Sequence, residues 1–142
     1  MKTLRLLALV GMALVSSAHG QRSATDVCDL VKSPRRYDHK TVIAAGFVYA
    51  DIHSTGIEGE GCSGGVVIRY DLKSAPSGFV NGIEAKRGRL DMRRFKVTVA
   101  GKFYARVPGP LGYFRRIEVT KVLSWEFVDE KQPTARPTAM MQ

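Results

Sequence analysis

The run Arg94-Phe95-Lys96-Val97-Thr98-Val99-Ala100-Gly101-Lys102-Phe103-Tyr104-Ala105-Arg106-Val107 decides how this chain folds. Phe95, Val97, Val99, Phe103, Ala105 and Val107 share one parity with Gly101; Arg94, Lys96, Thr98, Lys102, Tyr104 and Arg106 share the other, broken only by Ala100. Successive side chains of a strand point to opposite faces, so a period of two describes a long strand with one buried and one wet side. Pro108-Gly109-Pro110-Leu111-Gly112 supplies a turn. A partner strand is expected from Phe114 to Phe127, with Ile117, Val119, Leu123, Trp125 and Phe127 in phase and Trp125 as a core anchor. Lys121 and Val122 break that phase, which marks a bulge.

Upstream, residues 71–92 lose periodicity. Pro76, Gly78, Gly82 and Gly88 argue against a long helix and leave room for a short one near Gly82 to Arg89. Strands are expected at Val66–Tyr70, irregularly around His53–Glu58, and at Thr41–Ala50, where Gly46 marks a bulge or sharp bend. Arg35 to Lys40 reads as a polar turn. Thr25-Asp26 caps a short helix carrying Val27, Leu30 and Val31 at i, i+3, i+4, and Ser33-Pro34 closes it. The fold class expected is therefore all-β with one short N-terminal helix and five strands, in a single domain at residues 25–128.

At 142 residues, 44% of them hydrophobic and 25% charged, the chain is too short for a multidomain enzyme and too apolar for wholesale disorder. Residues 1–20 have the layout of a secretory signal. Lys2 and Arg5 precede an apolar stretch from Leu6 to Val15, and Ala18 and Gly20 provide small residues for cleavage. Ten apolar residues are too few to span a membrane about 30 Å thick, so no transmembrane anchor is expected. Residues 129–142, with Pro133 and Pro137, are expected to be a disordered tail. The product would be periplasmic or secreted, and a monomer.

Export alters the reading of Cys28 and Cys62, the only two cysteines. In an oxidising compartment a disulfide between them is favoured. The alternative, structural zinc, wants four closely spaced ligands, and His39 and His53 form no short pattern with either cysteine.

The pattern Cys28-x-Leu30, Pro34-x-x-Tyr37-x-x-Lys40-x-Val42 and Gly46-x-Val48, with Cys62 later, resembles small exported bacterial proteins of the OB-fold class, most of them uncharacterised. The resemblance covers about residues 25–128. It implies a five-stranded OB-fold-like barrel with a helix-to-barrel disulfide through Cys28 and Cys62, and it supplies no catalytic residue.

Charge placement carries the functional expectation. The net charge is +9, and between Lys86 and Arg116 ten basic residues stand against Asp91 alone. The excess is a local patch. Arg94, Lys96, Lys102, Tyr104, Arg106, Arg115 and Arg116 are the candidate anion-binding residues, a basic stripe with an aromatic as a polyanion-holding barrel would show. A merely solvated strand face, made basic to resist edge pairing, would carry the same stripe.

Chemistry finds less support. Asp51, Glu58 and Glu60 lie in a turn without EF-hand spacing, no Gly-x-Ser-x-Gly occurs, and His39 and His53 lack a nucleophile. No metal, cofactor or catalytic residue is expected. The leading expectation is a non-enzymatic binding protein for a polyanion (nucleic acid, anionic lipid or polysaccharide) or an acidic protein. The alternatives are an envelope interaction or inhibitor module using loops 108–112 and 51–60 and, further off, a metal-dependent hydrolase.

Overall fold

A computed structural model describes residues 23–129. The expected leader, and the expected tail beyond Asp129, lie outside the described residues. In chain order the elements are β1 (Thr25–Asp26), α1 (Val27–Lys32), α2 (Pro34–Tyr37), β2 (Thr41–Ala50), β3 (Thr55–Glu58), β4 (Gly65–Arg69), α3 (Ser77–Arg87), β5 (Arg94–Gly109) and β6 (Gly112–Val128).

The strands form one six-stranded sheet in the order β1-β2-β3-β4-β6-β5, and β5 pairs back onto β2, so the pairings from β2 to β5 run round in a ring. β1–β2 and β4–β6 are parallel; the other pairs are antiparallel. β2 makes the ring possible. Its residues Thr41 to Phe47 pair with β5, and Phe47 to Ala50 pair with β3. Gly46 sits where the neighbours change. A Cβ there would stand 2.7 Å from the Glu58 carbonyl oxygen and 2.9 Å from Val27, so only glycine lets the chains approach this closely.

The alternation read in β5 is the alternation of burial. Phe95, Val97, Val99 and Phe103 are buried with Val42, Ala44, Val48, Ile57, Val66, Ile68 and Ile117 of the other strands. Helix α1 contributes Val27 and Leu30, and α3 contributes Phe79 and Ile83. Close to Lys121 the pairing slips twice. Thr98 pairs with Ser124 but Val99 with Val122, leaving Leu123 extra; Ala100 pairs with Lys121 but Gly101 with Val119, leaving Thr120 extra. The two bulges bring Val122 opposite buried Val99 while keeping Val119 and Ile117 in phase.

Four local expectations are corrected. There are six strands, because Thr25 and Asp26 lie parallel beside Ala44 and Ala45. Asp26 still caps α1, its carboxylate accepting from the Cys28 N–H at 2.7 Å, since an N-cap is itself extended. Pro34 to Tyr37 is a one-turn helix, with proline in a first-turn position where its missing N–H costs nothing. Helix α3 is eleven residues long and includes Gly78 and Gly82, two of the three glycines that argued against it, while Gly88 caps its end. A Cβ at Gly82 would stand 2.1 Å from the Phe95 ring, and one at Gly78 would stand 2.7 Å from the Trp125 indole. Packing of aromatic rings onto the bare helix surface therefore overrides about 1 kcal/mol of lost propensity per glycine. Trp125, in turn, is 39% exposed and packs on α3 at the surface, outside the core.

Cys28 and Cys62 form a disulfide that ties α1 to the β3–β4 turn.

Candidate anion-binding face

Register places the outward side chains. On β5, Lys96, Lys102 and Tyr104 alternate with the buried set and therefore face out. Lys102 pairs with Glu118 of β6, and Glu118 pairs on its other side with Arg69 of β4. In the next row Tyr104 pairs with Arg116, which pairs with Val67. Directly opposed residues share a face with Cβ atoms about 5 Å apart, so Arg69, Lys102, Arg116 and Tyr104 stand on the same outer face as Glu118, the first two directly opposite it. Arg116 donates to Glu118 Oε1 at 2.8 Å and the Tyr104 hydroxyl donates to Oε2 at 3.3 Å. The Arg116 guanidinium also lies 5.5 Å from the centre of the Tyr104 ring, and the Lys102 ammonium 5.6 Å from it. The Nε atoms of Arg115 and Arg116 are buried without a partner among the described residues.

Two members of this group, Arg69 and Arg116, line a cleft of about 820 Å³. Its floor is Val67, Arg69 and Arg116, one wall is the turn Ile52–Thr55, and the hairpin residues Pro110 and Phe114 form another. Leu72 and the α3 residues Glu84 and Arg87 close its end. Arg87 is already engaged. It pairs with Glu84, donates to the Asp51 carbonyl at 3.1 Å and to the Thr55 hydroxyl at 2.8 Å, and so pins α3 to the β2–β3 turn. Asp51 organises that turn by accepting from the N–H groups of His53 and Ser54, both at 2.7 Å; these bonds hold its carboxyl below the ordinary carboxylate range. Burial pushes the Tyr70 hydroxyl up, against the pull of Arg87. On the neighbouring face Tyr49 lies over Gly56 and Gly65, where any Cβ would meet its ring within 2.7 Å, and burial followed by the Asp51 and Glu58 charges raises its hydroxyl.

Of the seven residues expected to bind anions, Lys102, Tyr104 and Arg116 come together around Glu118. Arg94 lies at the far end of β5, paired with Glu60 at 2.5 Å and with its guanidinium 3.3 Å over the Phe47 ring. Lys96 is exposed nearby, opposite Glu126. Arg106 stands on the hairpin arm, 3.8 Å over the Tyr113 ring, and Arg115 is half-buried on the side of β6 away from Arg116. Sequence reasoning missed Arg69. Its parity against Val66 and Ile68 marks it as outward, but it falls outside the basic run, and only the parallel β4–β6 pairing sets it beside Glu118.

Among the described residues no three of His, Cys, Asp and Glu gather as a metal site, and no helix is long and apolar enough to cross a membrane. The acidic residues of the 51–60 loop are dispersed: Asp51 holds its own turn, and Glu60 pairs with Arg94. Compared with models of known protein families and with curated proteins, the chain matches none.

Proposed function

We propose that this chain is an exported, non-enzymatic binding module of the OB-fold class whose basic face and adjoining cleft hold an anionic partner. The fold class is supported by the pairing order. Five strands close a ring through β2–β5, the β4–β6 pair within it is parallel, and a helix connects β4 to β5, as in a Greek-key barrel of this class. Export is supported by the leader-like N-terminus and by the Cys28–Cys62 disulfide.

The observation that carries the function is the placement of Arg69, Lys102 and Arg116 on one face with Glu118, two of these cations, Arg69 and Arg116, also lining the cleft. Three cations against Glu118 leave a local excess of positive charge, and Tyr104 adds a hydroxyl and an aromatic edge. A face that needed only to stay wet would gain nothing from placing cations within reach of one another, because like charges in neighbouring rows repel. An incoming phosphate, sulfate or carboxylate relieves that repulsion.

The test is a salt titration. Labelled single-stranded DNA, used as a generic polyanion, is bound at about 50 and about 200 mM salt and the slope of log K on log salt is measured. Replacing Arg69, Lys102 and Arg116 by Ser removes three phosphate contacts and flattens the slope by about 2, at roughly 0.7 per contact on a single strand. An unchanged slope assigns the binding to other charges and refutes the site.

A further inference from the structure

We infer that the cleft receives the phosphate headgroup of an anionic lipid while its apolar rim rests in the membrane interface; this deepens, and rests on, the anion-binding reading above. The rim distinguishes a lipid from other polyanions. Ile52 and Leu72 are 84% and 66% exposed, yet both line the cleft that holds Arg69 and Arg116. Across from them the β5–β6 hairpin projects beyond its pairing with β2, which ends at Thr41–Lys102. At the hairpin's tip Leu111 is fully exposed, next to the lining residue Pro110.

Aliphatic side chains held in water beside arginines suit an amphiphile. A nucleic acid presents phosphates and flat bases and would want exposed aromatic platforms, whereas the aromatics lining this cleft, Phe114 and Tyr70, are half-buried and its exposed rim is Ile and Leu. A polysaccharide has no aliphatic chain to bury.

The hairpin fits an interface in its own composition. From Lys102 to Ile117 it carries Lys102, Arg106, Arg115 and Arg116 and no acid. Tyr113 is exposed with the Arg106 guanidinium stacked on its ring, an aromatic and cation pair of the kind that sits at headgroup depth. Stable peripheral anchoring generally takes two signals, and here an inserted apolar tip is combined with cations for the anionic surface. No transmembrane helix is required, and among the described residues none is long enough.

The experiment is co-sedimentation of the full chain with phosphatidylcholine vesicles, with and without phosphatidylglycerol. All variants carry the same termini, so any contribution of the leader is common to them. Wild type is expected to partition onto phosphatidylglycerol vesicles and only weakly onto pure phosphatidylcholine. The substitution Leu111→Ser, at a fully exposed position outside the cleft lining, is expected to lower partitioning about tenfold. The same variant should bind labelled single-stranded DNA as wild type does. Arg69→Ser with Arg116→Ser should weaken both, by about fivefold per cation on the vesicles. The lipid assignment is overturned if the apolar variant partitions like wild type, or if phosphatidylglycerol makes no difference. In the first case an intact DNA titration leaves the anion-binding reading standing. If wild type binds neither vesicles nor DNA, both fall together.

Discussion

Replacing Glu118 by Gln removes the carboxylate at the centre of the basic cluster while keeping its shape. The free protein loses little. The Arg116–Glu118 pair is 2.8 Å long, but the Glu118 side chain is 42% exposed and the Arg116 side chain 21%, and surface pairs contribute about 0.2–1 kcal/mol. The larger effect falls on a bound anion. A phosphate seated between Arg69 and Arg116 would lie about 6 Å from Glu118, where two like charges repel by about 0.7 kcal/mol in bulk water and about 2.8 kcal/mol at an effective dielectric of about 20. The partial exposure of both side chains places the site between these limits, so we take about 1.4 kcal/mol, a tenfold gain in affinity for Glu118→Gln. Arg116 and the Tyr104 hydroxyl are also released to donate to the ligand. Anisotropy titration of labelled single-stranded DNA at about 50 mM salt reads the gain, which should shrink at about 200 mM as screening sets in. Glu126→Gln is the control, since it removes the same charge from the same outer face, opposite Lys96. If Glu118→Gln binds no tighter than wild type, or Glu126→Gln gains as much, net charge and not the cluster governs binding, and the reasoning fails.

Removing the disulfide with Cys28→Ala and Cys62→Ala frees a loop spanning 34 residues and should cost about 3.8 kcal/mol in chain-entropy terms, read by urea denaturation with reduced wild type as the matching reference. A loss below about 1 kcal/mol would contradict this origin of the stability. Gly82→Ala improves helix propensity by about 1 kcal/mol, yet its methyl group meets the buried Phe95 ring, and overpacking of this kind costs about 1–3 kcal/mol, so net destabilisation is expected in the same assay. Asp51 has a lowered folded pKa, so its stabilisation of the 51–54 turn is complete above the unfolded value of about 3.9 and is lost as pH falls through the folded one. Amide exchange at His53 and Ser54 should therefore accelerate on acidification in that range beyond the intrinsic pH trend. Asp51→Asn should flatten that dependence.

By itself the sequence determined five of the six strands, because they rest on local rules. The parity of Phe95, Val97, Val99 and Phe103 is the burial pattern of β5, the expected Thr41–Ala50 strand has the observed bounds, and Asp26 caps α1. The bulge at Lys121 was legible as a break of phase. Each of these depends on near neighbours and on the two-residue repeat of an extended chain. The tertiary structure decided whatever depends on which surface lies opposite. Helix α3 persists through Gly78 and Gly82 because Trp125 and Phe95, both distant in sequence, fill the space their missing side chains leave. Trp125 reaches the surface for the same reason.

The candidate site divides in the same way. Composition located the basic excess at Lys86–Arg116, but neutralising partners lay elsewhere in the chain: Glu60 takes Arg94, and Glu118 takes Arg116. Arg69, outside the excess, joins the cluster through the β4–β6 register. Charge along a sequence is a sum, whereas a binding site is a distance between charges. Only the pairing of strands sets that distance, and a shift of one residue would turn Arg69 or Glu118 to the other side of the sheet.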